Sequence, residues 1–157
     1  MSSSQEESLV ENLKALFKDN VLETKLPMSR RLFVAVSPDV YEDVIKFLVK
    51  EKQVTHLSTM TGMDLGEKIE VLSHFFGLGM EITIRVAVPK EKPEIKSIVS
   101  IVPGAVFYER EIHDLLGVTF IGHPDLARLV LSEDWPEGEY PLRRDYKVQP
   151  PKPLREV

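Results

Sequence analysis

The sequence predicts an α+β fold: a two-layer sandwich with a mainly antiparallel sheet, helices on one face, and an extended C-terminal arm. Three observations carry that expectation. Met80, Ile82, Ile84, Val86 and Val88 alternate with Glu81, Thr83, Arg85 and Ala87, the period-2 pattern of a strand with one buried face. Three strand-like runs, 54–61, 68–76 and 80–88, are joined by the short turns Asp64-Leu65-Gly66-Glu67 and Gly77-Leu78-Gly79, which favours an antiparallel meander. Segments of helical apolar periodicity flank that meander, so helices are available to cover one sheet face.

Taken in order, Ser4 and Glu7 fit a capping box, a hydroxyl at the N-cap with a carboxylate three positions on. Leu9, Leu13, Leu16 and Phe17 then recur at helical spacing, giving an amphipathic core-packing helix over 5–18. Leu32–Val36 is a short β-rich run. Ser37-Pro38-Asp39 is a helix start, because proline in a first turn gives up no hydrogen bond. Val40, Val44, Phe47 and Leu48 form the stripe of a helix over 38–52. After the meander, Pro89–Pro93 breaks the chain, and 95–102 reads as an edge strand or one helical turn. Pro103-Gly104 before and Gly117 after bracket a further helix. Leu126–Leu131 reads as a short strand or helical turn.

The chain has 157 residues, enough for one domain with its own core. These divide into an α+β domain over 1–131 and an arm over 132–157. A net charge of −5 disfavours nucleic acid and anionic lipid as partners. The absence of cysteine removes disulfides, thiolate nucleophiles and Cys-ligated Fe–S or zinc sites, and it suits a reducing cytosol. The polar, acidic start MSSSQEES does not read as a signal peptide, and no apolar run approaches the ~20 residues that span a bilayer, so direct membrane insertion is not expected.

The stretch Val106–Asp125 is densest in groups able to do chemistry or recognition: Glu109, Arg110, Glu111, His113 and Asp114, then His123 after a glycine. On a helical wheel at about 100° per residue, Tyr108, Ile112, Leu115 and Leu116 share the apolar face. Glu109 and His113 fall on one flank, Arg110 and Asp114 opposite the apolar face, and Glu111 alone on the other flank. The two glutamates diverge, so they do not form a convergent acid/base pair. Glu109 and His113 could supply two metal ligands with His123 as a third, which is the basis of a stand-alone metal-dependent hydrolase reading. Metalloprotease helices offer two histidines on one face, and this one offers a single histidine, so a satisfied interface or helix-end His113 is favoured. His56 and His74 are isolated and read as sheet-face residues. Arg110 and Asp114 are equally readable as a surface ion pair or as anchors in a network with a partner. A small-molecule-binding regulatory domain would want a Gly-rich phosphate loop, and Gly77-Leu78-Gly79 is too short for one.

From Ser132 the chain has no strand or helix period and carries Pro136, Pro141, Pro150, Pro151 and Pro153. It also carries Trp135, Tyr140, Arg143, Arg144 and Tyr146, the residue types that dominate interface hot spots. A proline-stiffened arm with such anchors reads as a strap over another protein through 132–146. A disordered tail is the alternative for 148–157.

Glu109–Leu116 (EREIHDLL), His123-Pro124-Asp125-Leu126 and Arg128-Leu129-Val130 together resemble the signature of the 30 kDa subunit of respiratory NADH dehydrogenase (complex I). Tyr140-Pro141-Leu142-Arg143-Arg144-Asp145-Tyr146 resembles that family's Pro-Leu-Arg-basic-Asp-aromatic element. Related subunits occur in membrane-bound, energy-converting nickel–iron hydrogenases, and the likeness covers about residues 30–147. Two departures lean toward the hydrogenase-like or archaeal-type branch: Ala127, where the signature usually has a basic residue or proline, and His113, where respiratory members commonly have an aromatic. The resemblance implies a hydrophilic subunit of an ion-translocating redox complex, with no catalytic residues and no cofactor in this chain. The Fe–S clusters, and a nickel–iron centre in hydrogenase-type assemblies, would sit in its partners. Those partners would be the large hydrogenase-like, 49 kDa-type quinone-site subunit and the adjacent small Fe–S subunit, on the cytoplasmic side of the membrane. The docking residues it implies are Glu109, Arg110, Glu111, His113, Asp114, His123, Arg128, Trp135, Tyr140, Arg143, Arg144, Asp145 and Tyr146.

Overall fold

Alternation decides the sheet. In the computed structural model, which describes residues 2–148 and the side chains from Gln5 onward, the meander is β3 (His56–Asp64), β4 (Lys68–Gly77) and β5 (Met80–Pro89), each antiparallel to the next. β2 (Arg31–Val36) lies parallel to the far side of β5, and β1 (Val21–Met28) lies antiparallel to β2, giving the order β1-β2-β5-β4-β3. Register puts Val86 between Val36 and Val71, and Ile82 between Leu32 and Phe75. All six side chains are buried, each contributing roughly 1.5–3 kcal/mol of transfer free energy. The opposite face carries the alternate residues and satisfies them laterally. Arg85 pairs with Glu70 at 2.8 Å, Arg31 with Glu81 at 3.0 Å, and His74 hydrogen-bonds Thr83 at 2.9 Å.

Three helices follow from the apolar stripes. α1 (Ser2–Phe17) buries Leu9 and Leu13, and Phe17 meets Phe47 edge-on at 6.2 Å. After the turn Pro38–Val40, α2 (Tyr41–Lys50) buries Tyr41, Val44, Ile45 and Leu48. The Tyr41 hydroxyl lies 2.6 Å from Ser73 Oγ on β4, which satisfies both buried hydroxyls. α3 (Ala105–Leu116) crosses β3 at Gly62, where a Cβ would run into Leu116 Cδ1; glycine permits the close approach. Short parallel strands β6 (Glu94–Lys96) and β7 (Thr119–Ile121) bracket α3 and bury Ile95 against Phe120.

The α+β architecture is as the pattern predicts, and four local expectations differ. α1 starts at Ser2, ahead of the proposed N-cap at Ser4, and Leu16 is exposed at the helix end. β1 is absent from the sequence pattern, because its residues alternate poorly and all but two of them are exposed. The 95–102 stretch divides into β6 and a turn closed by Val102 N–H donating to Ile98 O at 2.8 Å. Residues 126–131 form neither strand nor helix.

Candidate functional site

α3 ends where Gly117 takes φ +76° and its N–H donates to His113 O at 2.8 Å, the left-handed cap that glycine allows. The chain then passes through β7 and returns along the helix, and the charged residues of α3 hold that return. Asp114 Oδ2 accepts three successive backbone N–H groups, from Leu129 at 3.2 Å, Val130 at 2.8 Å and Leu131 at 2.8 Å. Burial pushes the Asp114 carboxyl up, but these donors and nearby Arg128 outweigh it and hold it below the usual carboxylate range. Arg110 donates from Nε to Ala127 O at 2.9 Å and from Nη2 to Arg128 O at 2.6 Å. Arg128 donates to Ser132 O at 2.8 Å. Arg110 and Asp114 therefore do not pair on an open surface. One holds carbonyls and the other holds amides of the same loop.

Glu109 is fully buried. Its carboxylate accepts the Ser97 hydroxyl at 2.6 Å and Ile98 N–H at 2.7 Å, which ties α3 to the turn after β6. Burial pushes its carboxyl up; the two hydrogen bonds and nearby His123 pull the other way without cancelling that push. The wheel puts Glu109 and Asp114 on outward faces, and both are inside. The reason is non-local: the 97–98 turn packs beneath one, and the 129–131 loop covers the other. Of that set, Glu111 is the exposed carboxylate.

The three supposed metal ligands are each occupied. His113 Nδ1 lies 2.8 Å from Val118 O and therefore donates. His123 Nδ1 accepts Asp125 N–H at 3.0 Å, which leaves Nε2 to donate to Val106 O at 3.0 Å. Among the described residues no group of three His, Asp or Glu is placed to hold a metal ion, so the hydrolase reading has no support.

The arm through 146 lies on its own α3. Leu142 N–H donates to Leu115 O at 3.2 Å, and Arg143 Nε to Leu116 O at 2.8 Å, so the helix C-terminus is capped by the arm. Arg143 stacks over Tyr140 at 4.4 Å, and Tyr140 sits on Gly117. Trp135 donates to Glu139 O at 2.9 Å, with its ring 6.0 Å from that of Tyr146. Arg144 N–H donates to Asp64 at 2.9 Å, and Lys90 bridges Asp64 at 2.8 Å and Asp145 at 3.0 Å. Residues 149–157 lie outside the described residues. Among exposed charged residues such as Glu111, Glu137 and Arg144, α3 and the strap also leave large apolar side chains outward: Phe107 is 60% exposed, Val130 55%, Leu142 56% and Leu129 41%. Residue-type reasoning favours the charged groups and the tryptophan and tyrosines of the arm, and passes over these four. Beside them a cleft of about 340 Å³ opens between His113, Arg128, Trp135, Glu137 and Tyr140.

A two-layer α+β domain whose signature helix is bound to its own returning strap, with apolar side chains held outward on that strap, has the character of an assembly subunit. Residues 34–152 match the model of the respiratory-chain NADH dehydrogenase 30 Kd subunit, and the chain belongs to that family. It is 37% identical over 147 residues to formate hydrogenlyase subunit 5 of Escherichia coli; the match covers 88% of this chain but 26% of that longer one. It is 31% identical over 154 residues to membrane-bound hydrogenase subunit beta of Pyrococcus furiosus, covering 94% of this chain and 89% of that one. A chain of the membrane-bound sulfane sulfur reductase, an archaeal respiratory membrane complex, superposes with a TM-score of 0.73 at 25% identity, covering 90% of this chain and 85% of that one. The protein is thus a subunit of a complex I-like or membrane-bound hydrogenase-like assembly and has partner subunits. No helix among the described residues is long and apolar enough to cross a membrane.

Proposed function

We propose that α3 and its strap form the face by which this subunit docks on the large hydrogenase-type, quinone-site subunit of an ion-translocating redox complex and stabilises it. The observation that carries this reading is the grip of Asp114 on Leu129–Leu131. It fixes a loop backbone while Leu129 and Val130 stay 41% and 55% exposed. A rigid loop that displays apolar side chains loses less entropy on docking than a mobile one. A relative supports a close neighbour within such a complex. This chain matches only 26% of formate hydrogenlyase subunit 5, so there a segment like this one is joined in a single chain to further hydrogenlyase sequence.

In this reading Glu111, Arg144 and the Trp135–Tyr146 edge line the rim, and the small Fe–S subunit lies alongside. The buried Glu109 and Asp114, with Arg110, Arg143 and His123, act by holding the surface in shape. The complex sits on the cytoplasmic side of its membrane, and this chain reaches the membrane through its partners. Redox cofactors belong to those partners, and this chain has no catalytic residue. Co-purification of the large subunit with Val130→Glu tests the reading. Loss of the large subunit from a normally folded variant is expected. Full retention with unchanged activity of the complex overturns it.

A further inference from the structure

The corner formed by α1 and β1 lies ahead of the family match, which begins at Val34. It nevertheless concentrates exposed apolar side chains: Leu16 at 58%, Leu22 at 64%, Leu26 at 44% and Met28 at 59%. Between the helix and the strand runs a groove of about 270 Å³, lined by Glu7, Val10, Glu11, Thr24 and Leu26. Its floor is apolar, from Val10 and Leu26. Its helix wall carries two exposed glutamates one turn apart, and neither has an ion pair among the described residues. The core does not require this surface, because α1 already buries Leu9 and Leu13 on its other side.

We propose that this groove is an interaction surface for a basic amphipathic helix of a neighbouring subunit, one that sets apolar side chains against Val10 and Leu26 and lysine or arginine against Glu7 and Glu11. Two other occupants fit less well. An added β-strand would pair with the free edge of β1. That edge is blunted by register shifts at Val21/Glu23 and Lys25/Met28, by Pro27, which has no N–H to offer, and by the charge of Lys25. A second copy of this chain meeting the groove through its own α1 would set Glu7 and Glu11 against their equivalents, and like charges in a closing interface cost affinity. A basic helix meets neither obstacle. Its cations find uncompensated carboxylates, and its apolar face removes the floor from water.

The inference rests on the chain's membership of a multisubunit complex and is independent of docking through α3. The test uses the whole complex with a photo-crosslinking benzoylphenylalanine at position 26, and a second preparation with the same probe at position 130. Crosslinking from position 26 is expected to reach another subunit, in a helical segment with lysine or arginine within one turn of the attachment point. Glu7→Lys combined with Glu11→Lys is expected to lower that yield about fivefold or more while crosslinking from position 130 stays the same. Crosslinks from position 26 confined to a second copy of this chain, or to lipid, or no crosslink at all, overturn the proposal. So does a yield untouched by the double charge reversal. Because both glutamates are exposed on α1, their exchange is expected to leave the melting temperature unchanged, so reduced crosslinking reports the groove. Position 130 reports separately on the α3 face.

Discussion

The backbone N–H of Arg144 donates to Asp64 Oδ2 at 2.9 Å, across 80 residues of sequence. Asp64 also accepts Gly66 N–H at 2.7 Å and Lys90 Nζ at 2.8 Å, and Lys90 reaches on to Asp145. Burial pushes the Asp64 carboxyl up, but these donors outweigh it and hold it down at about 2. Its folded value therefore lies below the ordinary 3.8, and on acidification the unfolded chain takes up the proton first. The stabilisation is complete above about pH 4 and is lost as pH falls toward 2. Asp64→Asn turns an amide toward donors and is expected to cost about 1–3 kcal/mol at neutral pH. Urea unfolding at pH near 7 and near 3 checks this: the gap between wild type and variant should narrow at the lower pH.

Asp114 performs the same service for the loop. One oxygen takes three amides, so removing it leaves three donors to find water at once. Asp114→Ala is expected to raise amide hydrogen exchange at Leu129, Val130 and Leu131 while the middle of α3 keeps its protection. Asp114→Asn retains one acceptor oxygen without the charge, so its exchange should fall between the two. Exchange unchanged at all three amides in the alanine variant would show that the loop is held by something else.

Glu109 titrates in the opposite sense. Burial raises its carboxyl, so its folded value lies above the unfolded one, and the charged form weighs against the fold. That penalty is absent below the ordinary glutamate range and complete once pH has risen through the folded value. Glu109→Gln escapes it, so the stability of the glutamine variant relative to wild type is expected to rise with pH across that window. Glu109→Ala loses the acceptor for Ile98 N–H and the Ser97 hydroxyl and should cost about 1–3 kcal/mol for each donor left unsatisfied. Thermal unfolding of both variants across pH 4 to about 8 separates the charge effect from the hydrogen-bond effect.

The meander, α2 and the end of α3 are legible in the sequence because each rests on a local pattern. Met80–Val88 alternates, Tyr41–Lys50 has a stripe, and Gly117 supplies a left-handed cap. β1 is not legible, since it is an edge strand stabilised by pairing with β2 rather than by its own face. β6 and β7 are three residues each and exist only as partners across the intervening helix. The motif itself is visible as a run of residues, but the positions of its side chains are not. A wheel shows angles around one helix and nothing of what packs on it. Glu109 is buried because Ser97 and Ile98 come beneath it, and Arg110 points at carbonyls 17 and 18 positions later.

The closeness of the strap to α3 can be measured at two glycines that share a backbone conformation. Gly117 and Gly138 have φ of +76° and +78°. A side chain in that region costs about 1–2 kcal/mol at either site. At Gly138 nothing lies within 4 Å of an added Cβ, so Gly138→Ala should show that cost alone. At Gly117 the same Cβ meets Tyr140 Cζ at 2.5 Å and Arg143 Nη2 at 2.8 Å, so the strap must also move. Moving it breaks the Arg143–Leu116 bond and uncovers the helix end. Gly117→Ala is therefore expected to lose more stability than Gly138→Ala and to expose the Arg143–Arg144 pair to trypsin, while Gly138→Ala stays resistant. Adding Tyr140→Ala to Gly117→Ala removes the clashing ring, so the double variant should lose less than the sum of the single losses. Equal losses and equal cleavage at the two glycines, or strict additivity with Tyr140→Ala, would mean that Tyr140 does not bear on the end of α3.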